Sequence, residues 1–449
     1  MKKILFYAAT ATLLASCAND EIIDNGGMES QEMPISFQVS QKNMTRADKT
    51  LQETGHYNFG VWAYKNTDAT NAVMDNYLVG YMDATNKKGY SMTETNQTTL
   101  GDATSATNGK SMWAYEKMGS SQYSLDANNT GEEYYLSTDT KYMSNNANQW
   151  LKYWDYSSAN TEFFAYAPYI NGATATTPTF TISDKKMTFA DNSIIAGFDD
   201  LSLYEYMYAY TNQEKAAYKT DVPLKFNRMN SKINIKFYED VDGYDVEIVD
   251  LFGNTSNTTT TGVQATPSVR TGAGTTESPY SYAKSTTFWL KGKADVVFGT
   301  TTTCAVTGTT QDGKNLEFKR PTETKIGETA ATASESPSTY YGLPLGTSNV
   351  TGFNFHVSYI LTATDTGEKI YVNNATVYVP AANVKWAPNT HYTYVFKITK
   401  GSTGTTDKDA TISYDSPTPS TEDALYPIVF DGCTVQDWIV KDATEHPIN

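Results

Sequence analysis

Three cysteines in 449 residues, Cys17, Cys304 and Cys433, supply neither a disulfide framework nor the paired spacing of a zinc site. One bridge between Cys304 and Cys433 is arithmetically open, and two unpaired thiols fit equally well. Histidine is as scarce. His56, His356, His391 and His446 are scattered, and no His-Glu-x-x-His ligand pair occurs. His356 and His391 fall in or beside expected strands, where structural roles are commoner than catalytic ones. A Gly-x-Ser-x-Gly elbow, a phosphate-cradling loop and a dinucleotide fingerprint are all missing. Asp242-Gly243-Tyr244-Asp245 and Asp312-Gly313 lack the spaced oxygens and closing acidic ligand of a calcium loop, and read as hairpin turns. The expectation is a chain with no catalytic residues, no metal and no cofactor. Paired carboxylates of a glycosidase meet only in the fold, and nothing favours them.

Positive charge is also short. Lysine and arginine together number 34 against 50 acidic residues, for a net charge of −16, which argues against nucleic-acid binding, since that needs a basic face. Arginine is rarest, with Arg46 the only one before Arg228. Beyond the first residues no apolar run approaches the ~20 residues a membrane-spanning helix needs. The length suits two to three domains.

What is present begins at the N-terminus. Lys2 and Lys3 precede a short apolar run, Ile4 to Leu14, which reads as a signal peptide. The run ends in Leu14-Ala15-Ser16-Cys17, which resembles a lipobox, so Cys17 is expected to be lipidated and to anchor the precursor to a membrane. The following Ala18-Asn19-Asp20-Glu21 resembles the acidic stretch that marks surface export in Bacteroidales lipoproteins.

The chain is rich in tyrosine, threonine and asparagine. Tyrosine, threonine, phenylalanine and valine suit a pleated, half-buried surface, and period-two alternation recurs, so the expected fold class is all-β with long polar loops. Ile35, Phe37 and Val39 form a first strand, just ahead of Thr45-Arg46-Ala47. Tyr57, Phe59, Val61 and Ala63 form the next. Glu162 to Tyr169 is apolar on both faces, the mark of a central strand, stopped by Pro168. Asn66 to Gln149 reads as decorated loops with short strands. A second block starts at Val222 with Leu224, Phe226, Ile233, Ile235 and Phe237, and Val246 to Leu251 follows. Gly253 to Pro279 shows no hydrophobic period and reads as a loop. Phe353 to Leu361, the turn Asp365-Thr366-Gly367 and Ile370 to Val379 predict a hairpin. Trp386-Ala387-Pro388-Asn389 leads into Tyr392, Tyr394, Phe396 and Ile398, and two short runs, Tyr426 to Phe430 and Val435 to Val440, close the chain. The expected divisions are a signal peptide (1–17), a propeptide (18–46) and two β-sandwich domains (47–216 and 217–449).

In order and spacing these motifs resemble the fimbrillin family of Bacteroidales, the subunits of type V pili. The resemblance rests on Cys17; on Ile35 to Val39 with Thr45-Arg46-Ala47; on Phe59-Gly60-Val61-Trp62-Ala63-Tyr64; on Val222 to Phe237; on Trp386-Ala387-Pro388-Asn389; and on Pro427-Ile428-Val429-Phe430 with Asp437-Trp438. It implies two transthyretin-like sandwiches and a stalk or tip subunit of a surface pilus. It also implies cleavage between Arg46 and Ala47 by an Arg-specific protease, release of the strand bearing Ile35, Phe37 and Val39, and entry of a neighbour's strand into the groove. The candidate donor strand carries Ile428, Phe430, Val435 and Trp438, and Gly401 to Thr421 is its candidate tether. Implied partners are other pilus subunits, the protease, the outer membrane through the lipid, and a host or bacterial surface receptor. A competing reading from composition is a surface glycan-binding lipoprotein of a polysaccharide-uptake system, with Trp113, Trp150 and Trp154 as stacking platforms.

Overall fold

The computed structural model describes residues 34–41, 57–82 apart from 67, 152–170, 177–199, 205–250, 262–311 apart from 274, 279, 286 and 287, 315–399 and 428–437. Short pieces at 49–50, 88–89, 98–99, 112–115, 149 and 406 complete the described set. The principal strands of the first half are β1 (Phe37–Gln41), β2 (Asn58–Lys65), β3 (Asp68–Met82), β4 (Asn160–Ala167), β5 (Lys186–Ile195) and β6 (Met207–Glu214). Those of the middle are β7 (Val222–Arg228), β8 (Ser231–Asp240), β9 (Tyr244–Val249), β10 (Val263–Thr271), β11 (Trp289–Val297) and β12 (Thr303–Gln311). The last are β13 (Gly352–Ala363), β14 (Lys369–Val379), β15 (Thr390–Thr399) and β16 (Ile428–Asp437).

Sheet A runs β1, β7, β6, β4, β2, β3, with the two-residue strand 49–50 outside β1 and Met112–Ala114 outside β3. Its central strands bury both faces, as the doubly apolar run at 162–169 predicts. Phe59, Val61, Phe163 and Ala165 enter one core, while Trp62, Phe164 and Tyr166 enter another. The second face packs on sheet B, formed by β12, β11, β5 and Thr179–Thr181, through Phe164–Phe180 (4.6 Å between ring centres) and Tyr166–Phe189 (5.7 Å).

Sheet C runs Gly197–Phe198, Tyr340–Gly342, β8, β15, β16. Sheet D is built on β13, with β14 along one edge and β10 and β9 sharing the other. C and D meet face to face through Phe355–Phe396 (4.4 Å) and Phe353–Tyr394 (5.1 Å). The β13–β14 hairpin forms as predicted, with Gly367 at φ 73° in its turn. The fold is all-β, with sheets paired as sandwiches. Sheet membership does not follow the chain in blocks, however. β7 completes sheet A, and the β11–β12 hairpin pairs with β5 in sheet B.

Three local expectations are corrected. Asp68–Met82 is one fifteen-residue strand inside a stretch expected to be decorated loops with short strands only. Three register shifts against β2 move its side chains between faces and erase the period-two signal. Within the expected loop Gly253–Pro279, Val263–Thr271 is a strand of sheet D, its inward side small (Val263, Ala265) and so weakly hydrophobic in sequence. Finally, Gly243 (φ 81°) does mark a turn, but β8 and β9 on either side of it belong to different sheets, so it joins layers rather than closing a hairpin. Asp312-Gly313 lies outside the described residues.

Candidate functional site: the first strand and the last

β1 lies parallel to β7, in the register Phe37–Val222, Val39–Leu224, Gln41–Phe226. Alternation sends Ile35, Phe37 and Val39 inward, where they are 2%, 6% and 2% exposed. Phe37 meets three rings edge-on: Phe59 at 5.5 Å, Tyr115 at 5.9 Å and Phe163 at 6.0 Å. Val222, Leu224 and Phe226 complete this wall. Full burial of these three side chains contributes roughly 1.5–3 kcal/mol each.

The segment's start is clipped at a second edge. Ile35 donates its backbone N–H to the Lys152 carbonyl (2.7 Å), and the Tyr115 hydroxyl donates to the Ile35 carbonyl (2.9 Å). Pro34 bridges to Tyr153, the Val222 N–H donates to the Ser36 carbonyl (2.8 Å), and the Ser36 hydroxyl donates to Asp221. Tyr115 is itself fixed by Gln149, whose amide donates to the carbonyls of Tyr115 (2.9 Å) and Leu78 (2.7 Å). Just beyond the clip, the Ser157 hydroxyl and then Lys65 (2.9 Å) hold the Asp155 carboxyl far below the usual carboxylate range. Tyr115, Gln149 and Lys152 escape sequence reading because they sit in or beside short polar pieces, with only Trp113–Tyr115 to hint at a strand.

At the far end of the chain, β16 pairs antiparallel with β15 and forms the outer edge of sheet C. One extra residue, Asp431, is accommodated by a bulge before Gly432 (φ 145°). Ile428 and Phe430 therefore stand opposite Ile398 and Phe396, and Val435, beyond the bulge, opposite Tyr392. Without the bulge Val435 would fall on the other face. Val435 is 57% exposed.

The remaining sites are placed as follows. Cys17, Arg46, Ala47, Trp150 and Trp438 lie outside the described residues, as do Gly401 to Thr421 apart from residue 406. Trp113 and Trp154 are 7% and 5% exposed in the core around Phe37, Trp154 stacking on Tyr218 at 4.4 Å, so neither offers a platform to a sugar. Cys304 in sheet B and Cys433 in sheet C are free thiols. His356 Nδ1 is 2.7 Å from Asn374 Oδ1 and His391 Nε2 is 2.8 Å from Asn234 Oδ1, both within sheet structure. No described helix is long and apolar enough to cross a membrane.

Residues 101–414 match the profile of a family described as fimbrillin-like. A search of characterised proteins returned no match. Among solved structures, a candidate cell adhesion protein from Bacteroides uniformis is 13% identical, with a TM-score of 0.33 over 90% of this chain and 99% of that one. A second, from Parabacteroides distasonis, is 10% identical, with a TM-score of 0.34 over 92% and 99%. The fimbrial anchor protein Mfa2 from Porphyromonas gingivalis is 9% identical, with a TM-score of 0.26 over 91% and 99%.

Proposed function

The chain belongs to the fimbrillin-like family, and from that membership we propose that it is a structural subunit, stalk or tip, of a cell-surface adhesive pilus. It has no enzymatic role in this reading. The precursor is a lipoprotein, acylated at Cys17 and held at the outer membrane. Once the propeptide has gone its working parts are the two paired-sheet sandwiches, to which the segments before and after residue 216 both contribute strands.

The observation that supports this most is the seating of β1. A short parallel strand fills the edge of β7 and buries Ile35, Phe37 and Val39, yet its covalent link to the rest of the sheet runs through residues 42–48, which include Arg46. A cut between Arg46 and Ala47 leaves β1 attached by noncovalent contacts alone. Its departure uncovers β7's hydrogen-bonding edge and a wall of Phe59, Phe163 and Phe226. Such an edge accepts another strand, with ladder bonds giving affinity and alternate side chains giving fit.

The donor in this scheme is β16 of a neighbouring subunit. Ile428, Phe430 and Val435 line up by register on one side of the strand, and Trp438 follows. Residues 400–427 separate β16 from β15 and extend at ~3.3 Å each, which gives a reach of up to roughly 90 Å. Donor and acceptor surfaces differ, so repetition builds a head-to-tail filament.

The test is to treat the lipid-free chain from residue 18 with an Arg-specific protease, then run unheated denaturing gels with N-terminal sequencing. A new terminus at Ala47 with an oligomer ladder is the expected result for a stalk subunit. Cleavage without a ladder assigns a tip or accessory subunit. Resistance at Arg46 overturns the activation scheme.

A further inference from the structure

The chain has four arginines, and their surroundings differ sharply. Arg46 is outside the described residues, Arg228 is paired with Glu205 in the interior, and Arg320 Nε lies 3.7 Å from Asp250 Oδ1. Arg270 has no carboxylate partner among the described residues, in a chain where acidic groups outnumber basic ones. Its guanidinium instead lies over two tyrosine rings, 4.2 Å from the centre of Tyr280 and 4.6 Å from that of Tyr378. Tyr282 adjoins them, with its ring centre 5.3 Å from that of Tyr378.

The backbone of sheet D assembles this group on its outer face. Inward positions on β10 and β13 are Val263, Ala265, Phe353 and Phe355, so Arg270 and Gly352, of opposite parity, face away from the core. Arg270 is the register partner of Tyr282 on the strand Ser281–Lys284. Tyr378 comes from β14 and passes over β13 at Gly352, where a Cβ would lie 2.6 Å from the Tyr378 hydroxyl. That glycine is what allows Tyr378 to reach Arg270. Tyr280 is 46% exposed, whereas most of the aromatic side chains are buried, so the group is open to solvent at that ring.

A guanidinium lying on aromatic rings keeps its edge N–H groups available, and that edge binds a carboxylate or sulfate with two parallel hydrogen bonds. The tyrosine faces offer apolar surface for the C–H face of a sugar ring, and their hydroxyls can bond sugar hydroxyls. An acidic peptide offers the anion but no ring for the tyrosines. A polyanion is disfavoured by the net charge of −16, whereas a single acidic group needs only the one cation present. We propose that Arg270, Tyr280, Tyr282 and Tyr378 form a binding site for a saccharide carrying one acidic group, a carboxylate or a sulfate ester. The site lies on sheet D, whereas β1 belongs to sheet A, and the proposal stands independently of strand exchange.

The experiment titrates the lipid-free full-length mature chain with methyl glucuronide, N-acetylneuraminic acid and galactose 6-sulfate, with methyl glucoside as neutral control, by calorimetry and saturation-transfer NMR. An acidic sugar is expected to bind about tenfold more tightly than the glucoside, and the preferred arm assigns carboxylate or sulfate. Tyr280→Ala, at an exposed ring, and Arg270→Lys, which keeps charge but loses the fork, are each expected to weaken binding about tenfold with the near-ultraviolet dichroism unchanged. Equal affinity for glucuronide and glucoside overturns the proposal, as does binding untouched by Tyr280→Ala. So does preference for an aspartate-rich peptide over every sugar tested.

Discussion

Glu205 and Arg228 form an ion pair from which water is wholly excluded, their side chains 0% and 1% exposed. The pair sits where β7 ends and the chain turns into β8. The Arg228 backbone N–H also donates to Asn389 Oδ1 (3.2 Å), and Ser231 donates to the Ala387 carbonyl (2.7 Å), tying the Trp386–Asn389 segment to the same junction. Removing one partner leaves a buried charge alone, so Glu205→Ala is expected to cost about 3–5 kcal/mol. Urea denaturation measures this, and a Glu205→Leu/Arg228→Met double variant should recover most of the loss.

Phe37 makes three edge-on ring contacts, so Phe37→Ala should destabilise the uncut chain by about 3–5 kcal/mol. After cleavage at Arg46 and release of β1 the substitution should be silent. A persistent difference between the cleaved wild-type and variant chains would show that the strand stays.

Gly60 in β2 lies beneath the Tyr166 ring, and a Cβ there would approach its Cε1 to 2.2 Å. Tyr166 is fully buried and donates to Asn76 Oδ1 (3.0 Å), so it has nowhere to retreat. Gly60→Ala should therefore cost at least about 1–3 kcal/mol, read as a lowered Tm.

Burial pushes the thiols of Cys304 and Cys433 up to about 12, with Asp295 adding to the effect at Cys304. A raised folded pKa holds the proton in the native state. Its contribution to stability is complete below the unfolded value near 9 and lost as pH rises toward 12. Double replacement by serine should flatten the fall in stability between those limits. At pH 8 a thiol reagent should label the folded chain slowly and the guanidinium-unfolded chain at both positions.

Strands whose inward rows are large and uninterrupted were legible in sequence: Phe353 to Leu361, Tyr392 to Ile398, and the doubly apolar Glu162 to Ala167. β3 was not, because bulges break its alternation, and β10 was not, because its inward residues are small. β16 was readable only as two runs, since Asp431 and Gly432 interrupt one continuous strand. The burial of Ile35, Phe37 and Val39 followed from alternation. Their clip did not, because Tyr115 and Lys152 stand far along the chain and are brought to Ile35 only by folding. Trp113 and Trp154 illustrate the limit of residue type alone, since a tryptophan serves a core as readily as a sugar.

The place of the β11–β12 hairpin bears on how such a chain is made and inherited. β5 gains its second neighbour, β11, only when residue 297 has left the ribosome, so the layer covering Phe164 and Tyr166 stays incomplete while the first half stands alone. Growth of the polypeptide and completion of its sheets are thus out of step, and slow, long-range pairing follows. Recombination between related genes meets the same constraint. A crossover near residue 216 that leaves residues 289–311 behind would pass on a half-clothed sheet, and only an exchange that carries the hairpin along would yield a viable descendant.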